Sequence, residues 1–291
     1  MGLELSIASI VFLLLLVPFA LVMEGIRRKT VARMQNRIGP PVWQPIYDVL
    51  KLFQKGKTDT LAKENPFFWI VPILTFLSGL AFFLFIPFNI ISFQHDFIFL
   101  IYLLVLESAL FVLAGFASNN PYSTIASMRE LILMVCYEMI FAIVILTVFI
   151  FEGVLSVAQF DSLFLFWKLP LAFICFMVLV AVEIRITPYD TVDAPTEVLE
   201  SIRNEYSGKG LAFLKMADAL KMTFFAAMLL YFFIGNFNMI LFFVLIPVAV
   251  MVFSFIQATT CRYRVDQTFK RLAFYLILAL VEIVRIKFIV W

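Results

Sequence analysis

Long apolar runs alternate with short polar ones along the chain, and the runs share a length. Eight stretches, near 3–23, 67–88, 97–118, 129–151, 163–186, 211–235, 237–258 and 271–290, each approach the roughly 17–25 apolar residues that cross a bilayer as a helix. The break Gly235-Asn236-Phe237-Asn238 predicts a tight turn, so the sixth and seventh stretches read as a helical hairpin. Asn65-Pro66 reads as an N-cap followed by proline at N1. Ser127 and Glu130 read as a capping box opening the fourth span. The first span has no basic residues ahead of it and runs into Arg27-Arg28-Lys29, the pattern of a retained anchor rather than a removed signal. The pattern predicts an all-α integral membrane protein of about eight transmembrane helices. It forms a single membrane domain over 1–291, with structured cytoplasmic loops at 24–65, 119–128, 187–210 and 259–270.

The basic residues orient this arrangement. Loop 24–65 holds nine Lys or Arg, and loops 187–210 and 259–270 raise the total to fourteen, whereas 87–96, 152–162 and 236–238 hold none. The positive-inside rule then places both termini outside the cell membrane, and an even number of spans keeps all the basic loops on one side. Residues from Ile46 to Lys55 mix apolar and basic positions as an interfacial amphipathic helix does. Loop 187–210 is acidic, with Asp190, Asp193, Glu197, Glu200 and Glu205 against Arg203 and Lys209. It reads either as a solvated loop of compensating charge or as a docking surface over a cavity mouth.

Composition agrees: 64% of residues are hydrophobic and 14% charged, where a soluble domain carries about 25% charged residues. Cys136, Cys175 and Cys261 are far apart, and His95 is the only histidine, so the chain offers no set for an iron–sulfur cluster or zinc. The net charge of +2 gives no argument for nucleic acid as a partner.

Charge inside the spans carries the candidate chemistry. Glu107, Glu138, Glu183 with Arg185, then Lys215, Asp218 and Lys221, and finally Glu282 and Arg285 all fall within apolar stretches. A central charge costs about 2.5–3.5 kcal/mol on insertion scales, so each needs a partner or a purpose. Lys215, Asp218 and Lys221 have ladder spacing, and Glu282 and Arg285 are three apart. Glu107 and Glu138 have no basic neighbour on their own helices, and Glu183 and Arg185 are spaced i, i+2, which does not share a face. Buried carboxyls on neighbouring helices are suited to passing a proton, because like charges cannot all ionise together. Interhelical ion pairs or a polar ligand cavity are the other readings.

Several motifs carry a family resemblance. Arg33-Met34-Gln35-Asn36-Arg37-Ile38-Gly39-Pro40, followed by Gln44-Pro45-Ile46-Tyr47-Asp48 and Lys51-Leu52-Phe53, resembles the first cytoplasmic loop of subunit 1 of respiratory complex I. That membrane subunit is shared with energy-converting, membrane-bound nickel–iron hydrogenases. Gly115-Phe116-Ala117-Ser118-Asn119 with Tyr137-Glu138, the stretch from Glu183 through Pro188-Tyr189-Asp190 to Glu205-Tyr206-Ser207-Gly208, and Arg262-Tyr263-Arg264-Val265-Asp266-Gln267 resemble it in the same order. Only Pro41, Val42 and Trp43 separate Gly39-Pro40 from Gln44-Pro45, Pro195 and Thr196 interrupt the acidic run, and Lys221 follows Asp218-Ala219-Leu220. These departures resemble the hydrogenase branch rather than the quinone-reducing one.

The resemblance implies a membrane anchor and ion-coupling subunit, itself non-catalytic, of a ferredoxin-driven oxidoreductase complex that translocates protons or sodium. Glu138, Glu183 and Asp218 match the family's intramembrane acids; Glu107 joins them as a proton-path residue on the residues' own argument, with Lys215 and Lys221 as supporting cations. Asp190, Asp193, Glu197 and Glu205 match its acidic coupling loop. Arg27, Arg28, Arg33, Arg37, Arg262 and Arg264 would face the peripheral arm. No redox cofactor is expected in this chain; iron–sulfur clusters, with or without a nickel–iron site, would sit in partner subunits. Those partners would be peripheral cluster-bearing and large catalytic-like subunits, small membrane subunits and antiporter-like ones. The rival readings are the quinone-chamber subunit of a true complex I and a stand-alone secondary transporter, whose usual internal repeats are not found here.

Overall fold

The computed structural model describes residues 7–56, 60–86, 96–153, 156, 164–194, 201–235 and 239–290; Lys57, His95, Glu197, Glu200 and the 236–238 turn lie outside the described residues. The described residues contain helices and no strand. In chain order these are α1 (Ile7–Met34), α2 (Gln44–Gln54), α3 (Pro66–Ala81), α4 (Asp96–Ala117), α5 (Pro121–Glu152), α6 (Pro170–Glu183), α7 (Gly208–Leu229), α8 (Met239–Thr259) and α9 (Val265–Val290). Apart from α2, they fall on the eight apolar stretches. Four segments, Pro66–Leu84, Asp96–Ala117, Pro121–Glu152 and Gly208–Ile234, are by themselves long and apolar enough to cross a membrane, and α6 and much of α8 are shorter apolar helices.

Helix ends follow local chemistry. The Asn65 side chain accepts from the Phe67 N–H at 3.1 Å ahead of Pro66, the expected cap. The same device opens α5, where Asn120 accepts from Tyr122 N–H at 2.9 Å ahead of Pro121. The fourth span therefore begins before the expected capping box. Ser127 lies inside α5 and donates to the Ser123 carbonyl at 2.9 Å, and residues 121–128, read as loop, are helical. The fifth span is also shorter than expected. Leu165–Lys168 forms a separate turn, and α6 starts at Pro170, whose ring cannot continue a preceding helix. As expected, 44–54 is an amphipathic helix; it lies against α1 and α7, with Phe53 edge-on to Phe213 at 5.6 Å.

The centre of the bundle is α7. It contacts α1, α2, α3, α6 and α8, and nearly all of it is buried, whereas α3, α4 and α5 leave about half of their surface outward. With no hydrophobic drive between helices in lipid, close packing must supply the association. Stacked rings such as Phe82 on Phe224, at 4.8 Å, provide it around α7. Gly115 on α4 allows α5 close, since a Cβ there would run into the Ser127 hydroxyl. A polar residue on α7 is thus held away from lipid and aimed at other helices.

Candidate functional site

Lys221 sits near the middle of α7 and is 2% exposed. Its Nζ is 2.6 Å from Glu107 Oε2 on α4 and 2.9 Å from Glu183 Oε2 at the last residue of α6, and it donates to Ser108 Oγ at 3.4 Å. Two carboxylates from separate helices thus share one buried cation. The expected ladder along α7 does not form: Lys221 turns to α4 and α6, Asp218 turns to arginines, and Lys215 has no ion-pair partner among the described residues. Glu138 on α5 is half-buried, with Oε1 enclosed and lacking a hydrogen-bond partner, and it lies within electrostatic reach of Glu183 and Lys221.

Arg185 organises a second cluster. It follows the end of α6 at φ 54°, the left-handed position that usually takes glycine, and the surrounding bonds are those of a Schellman motif. Ile186 N–H donates to the Ala181 carbonyl at 3.2 Å, and Arg185 N–H to that of Val182 at 3.0 Å. The turn sends the guanidinium back over the Phe111 ring, 3.5 Å from its centroid. From there it reaches Glu130 at 3.0 Å and Asp218 at 3.3 Å. Asp218 in turn pairs with Arg203 at 2.9 Å, and Arg203 with Asp193 at 3.1 Å. A continuous chain of charges therefore runs from α5 through the end of α6 and α7 to the acidic loop.

The loop is fastened on every side. Arg262 holds Asp190 at 2.5 Å, Tyr263 N–H donates to the Pro188 carbonyl at 3.0 Å, and Thr187 donates to the Gln257 carbonyl at 2.7 Å. Glu205 accepts from Asn120 at 2.5 Å, so the coupling loop is tied to the cap of α5. Burial, reinforced by Asp193, pushes the Asp190 carboxyl up to about 6 despite Arg262. Burial alone would lower Arg203, but Asp193 and Asp218 outweigh it and raise its pKa further, so it stays charged.

Of the arginines expected to face a peripheral arm, Arg27 is held by both Glu24 oxygens at 2.6 and 2.7 Å, and Arg28 bridges Glu24 and Asp48 at 3.0 and 3.2 Å. Arg262 is committed to Asp190; Arg33, Arg37 and Arg264 are exposed. At the far end of α9, Glu282 is fully buried and grips Arg285 at 2.7 and 2.8 Å, the expected structural pair.

These groups surround a cavity of about 530 Å³, lined by Glu183, Lys221, Arg185, Asp218, Arg203, Asp190, Asp193, Lys215, Arg27 and Arg262 among others. Twelve of its eighteen lining residues are charged, unlike the mostly apolar wall that a greasy ligand requires. Glu107 is absent from the wall, so Lys221 stands between the cavity and Glu107. Sequence reasoning missed Glu130, which it spent on a capping box, and the role of Arg185, which it placed inside a span. Pro188 was the available signal: the residue before a proline disfavours helix, which puts Arg185 close to a helix end.

Residues 7–287 match the family model described as NADH dehydrogenase. The chain belongs to that family. One relative is an NADH-quinone oxidoreductase membrane-family protein from Geobacillus kaustophilus (strain HTA426), 32% identical over 283 residues, covering 88% of this chain and 85% of that one. Its counterpart of the same name from Bacillus cytotoxicus is 30% identical with the same coverage. Among solved structures, a chain of the membrane-bound sulfane sulfur reductase, an archaeal respiratory membrane complex, superposes with a TM-score of 0.86 at 23% identity, covering 96% of this chain and 98% of that one. At that identity the likeness speaks to the fold.

Proposed function

We propose that this chain is the membrane anchor and ion-coupling subunit of a multi-subunit respiratory complex, of the hydrogenase-like type driven by ferredoxin. Family membership supports the respiratory complex; the observation that carries the coupling role is Lys221 shared by Glu107 and Glu183 at the wall of the charged cavity. Two carboxylates and one ammonium leave a surplus negative charge in a low-dielectric setting, where taking up a proton or a sodium ion restores balance. The cavity admits that ion, and Lys221 separates it from Glu107, so movement of the ammonium between its partners decides which carboxylate is charged.

The trigger comes through the acidic loop. Redox change in a cluster-bearing peripheral subunit, docked near exposed Arg33 and Arg37, shifts the loop held by Asp190, Asp193 and Glu205. Arg203 transmits that shift to Asp218, and Arg185 transmits it to Glu130 and the edge of the Lys221 group. Glu138, half-buried, continues the path toward neighbouring membrane subunits. The termini lie outside the cell membrane on the asymmetry of fourteen basic residues.

The test is ion uptake by the complex in sealed vesicles alongside its electron transfer. Glu183→Gln should cut the ions moved per electron severalfold while assembly persists; unchanged pumping sinks the reading. A quinone-chamber role is the second reading, favoured by the relatives' names, and a quinone analogue that photolabels residues 33–53 or 187–210 would establish it. The charged wall of the cavity supports the first.

A further inference from the structure

A second cavity, of about 230 Å³, lies between α5, the chain leaving α6 and the start of α9, and Arg262 lines both cavities. Its wall carries guanidiniums from Arg129, Arg262 and Arg264 against a single carboxylate, Asp266. Arg264 is 80% exposed on its side chain and its pair with Asp266 is loose, at 3.9 Å. Arg262 binds Asp190 through Nη2, while its buried Nε has no hydrogen-bond partner. Thr191 is 2% exposed, and its enclosed hydroxyl also lacks a partner. Val265, the first residue of the 26-residue α9, is in the wall, so the positive end of that helix adds to the field.

Buried donors without acceptors, beside clustered arginines, fit a group with several anionic oxygens. The surroundings say what carries that group. Ile132 lies one turn beyond Arg129 on the same face of α5 and is 49% exposed; Phe269 lies one turn beyond Val265 on α9 and is also 49% exposed. Cationic donors with exposed hydrocarbon one turn further into the bundle match an amphiphile with an anionic head.

We propose that this cavity binds the phosphate of an anionic phospholipid, whose acyl chains lie along Ile132 and Phe269. The Thr191 hydroxyl and Arg262 Nε donate to phosphate oxygens, and Arg264 closes the open side. The bound lipid fastens α5, the acidic loop and α9 to one another. Because Arg262 also holds Asp190, lipid occupancy braces the wall of the larger cavity.

The test uses the intact complex in nanodiscs containing photoactivatable phosphatidylglycerol or phosphatidylcholine, with crosslinks mapped by mass spectrometry. Labelling of Thr191 and of 264–269 is expected with phosphatidylglycerol and not with phosphatidylcholine. Thr191→Val with Arg264→Gln should reduce it about tenfold, the loss expected when a charge-assisted hydrogen bond is removed. Arg264→Gln alone, at an exposed site, should reduce it severalfold and covers the case of a double variant that does not assemble. Equal labelling by the two lipids, or variants that label like the parent, overturns the proposal. Complete protection by inorganic phosphate alone would make this a free-phosphate site and overturn the lipid assignment. Crosslinks only to an acidic segment of a neighbouring subunit would overturn it as well.

Discussion

The Arg185 guanidinium lies 3.0 Å from the Glu130 carboxylate, 55 residues away in the chain, because its backbone takes the left-handed conformation past the end of α6. That conformation costs a non-glycine residue about 1–2 kcal/mol, and the ion pairs to Glu130 and Asp218 must offset it. Arg185→Ala keeps the strain and loses the pairs, while Arg185→Gly loses the pairs and relieves the strain. The glycine variant should therefore melt higher than the alanine variant, by the equivalent of about 1 kcal/mol, with both below the parent. Thermal midpoints of the purified complexes check this; alanine equal to glycine would mean that the turn carries no strain.

Removing the cation from the Lys221 group should be worse than removing the cation with one of its acids. Lys221→Met leaves two buried carboxylates unpaired, a change that costs about 3–5 kcal/mol when one partner of a buried pair is lost. Lys221→Met with Glu107→Gln should recover part of that loss. A double-mutant cycle on the yield and thermal midpoint of assembled complex measures it, and simple additivity would refute the coupling.

Close approach of α4 and α5 predicts a steric variant. Gly115→Ala would drive a methyl into the Ser127 hydroxyl and to 2.9 Å from Ile202 Cγ1. Overpacking of this kind costs about 1–3 kcal/mol. Ser127→Gly in the same chain should restore part of the loss in thermal midpoint, because it removes the nearest obstacle.

Asp190 predicts a pH dependence. Its carboxyl is raised to about 6, above the ordinary unfolded value of about 3.9. Between these values the folded chain holds a proton that the unfolded chain has lost, so Asp190 makes folding less favourable as pH rises from about 4 to about 6 and adds no further change above that. Infrared titration of the complex should show one carboxyl with a midpoint near pH 6 that is missing in Asp190→Asn. A midpoint in the ordinary aspartate range would contradict the burial.

The hairpin-like spacing of apolar runs, the Asn65-Pro66 cap, the amphipathic 44–54 helix and the Glu282–Arg285 pair could all be read along the chain, because each depends on neighbours within a turn or two. The same signal as Asn65-Pro66 was present at Asn120-Pro121, but the S-x-x-E pattern at Ser127 drew the boundary inward. That pattern also occurs inside helices, and only packing shows that Glu130 faces Arg185 rather than a backbone N–H. The buried acids could be named from their cost in lipid. Their partners could not, since Lys221 is spaced to serve Asp218 on its own helix and instead serves Glu107 and Glu183.

The sequence by itself determined which segments enter the membrane, since in hydrocarbon a helix must satisfy its own backbone and hydropathy over about twenty residues decides the outcome locally. It also determined that charge would have to be accommodated there. The tertiary structure alone decided how. Ion pairing in a low-dielectric interior depends on distances of a few ångströms between side chains from different helices, and these are set by how α4, α5 and α6 pack around α7 and by one left-handed residue at the end of α6.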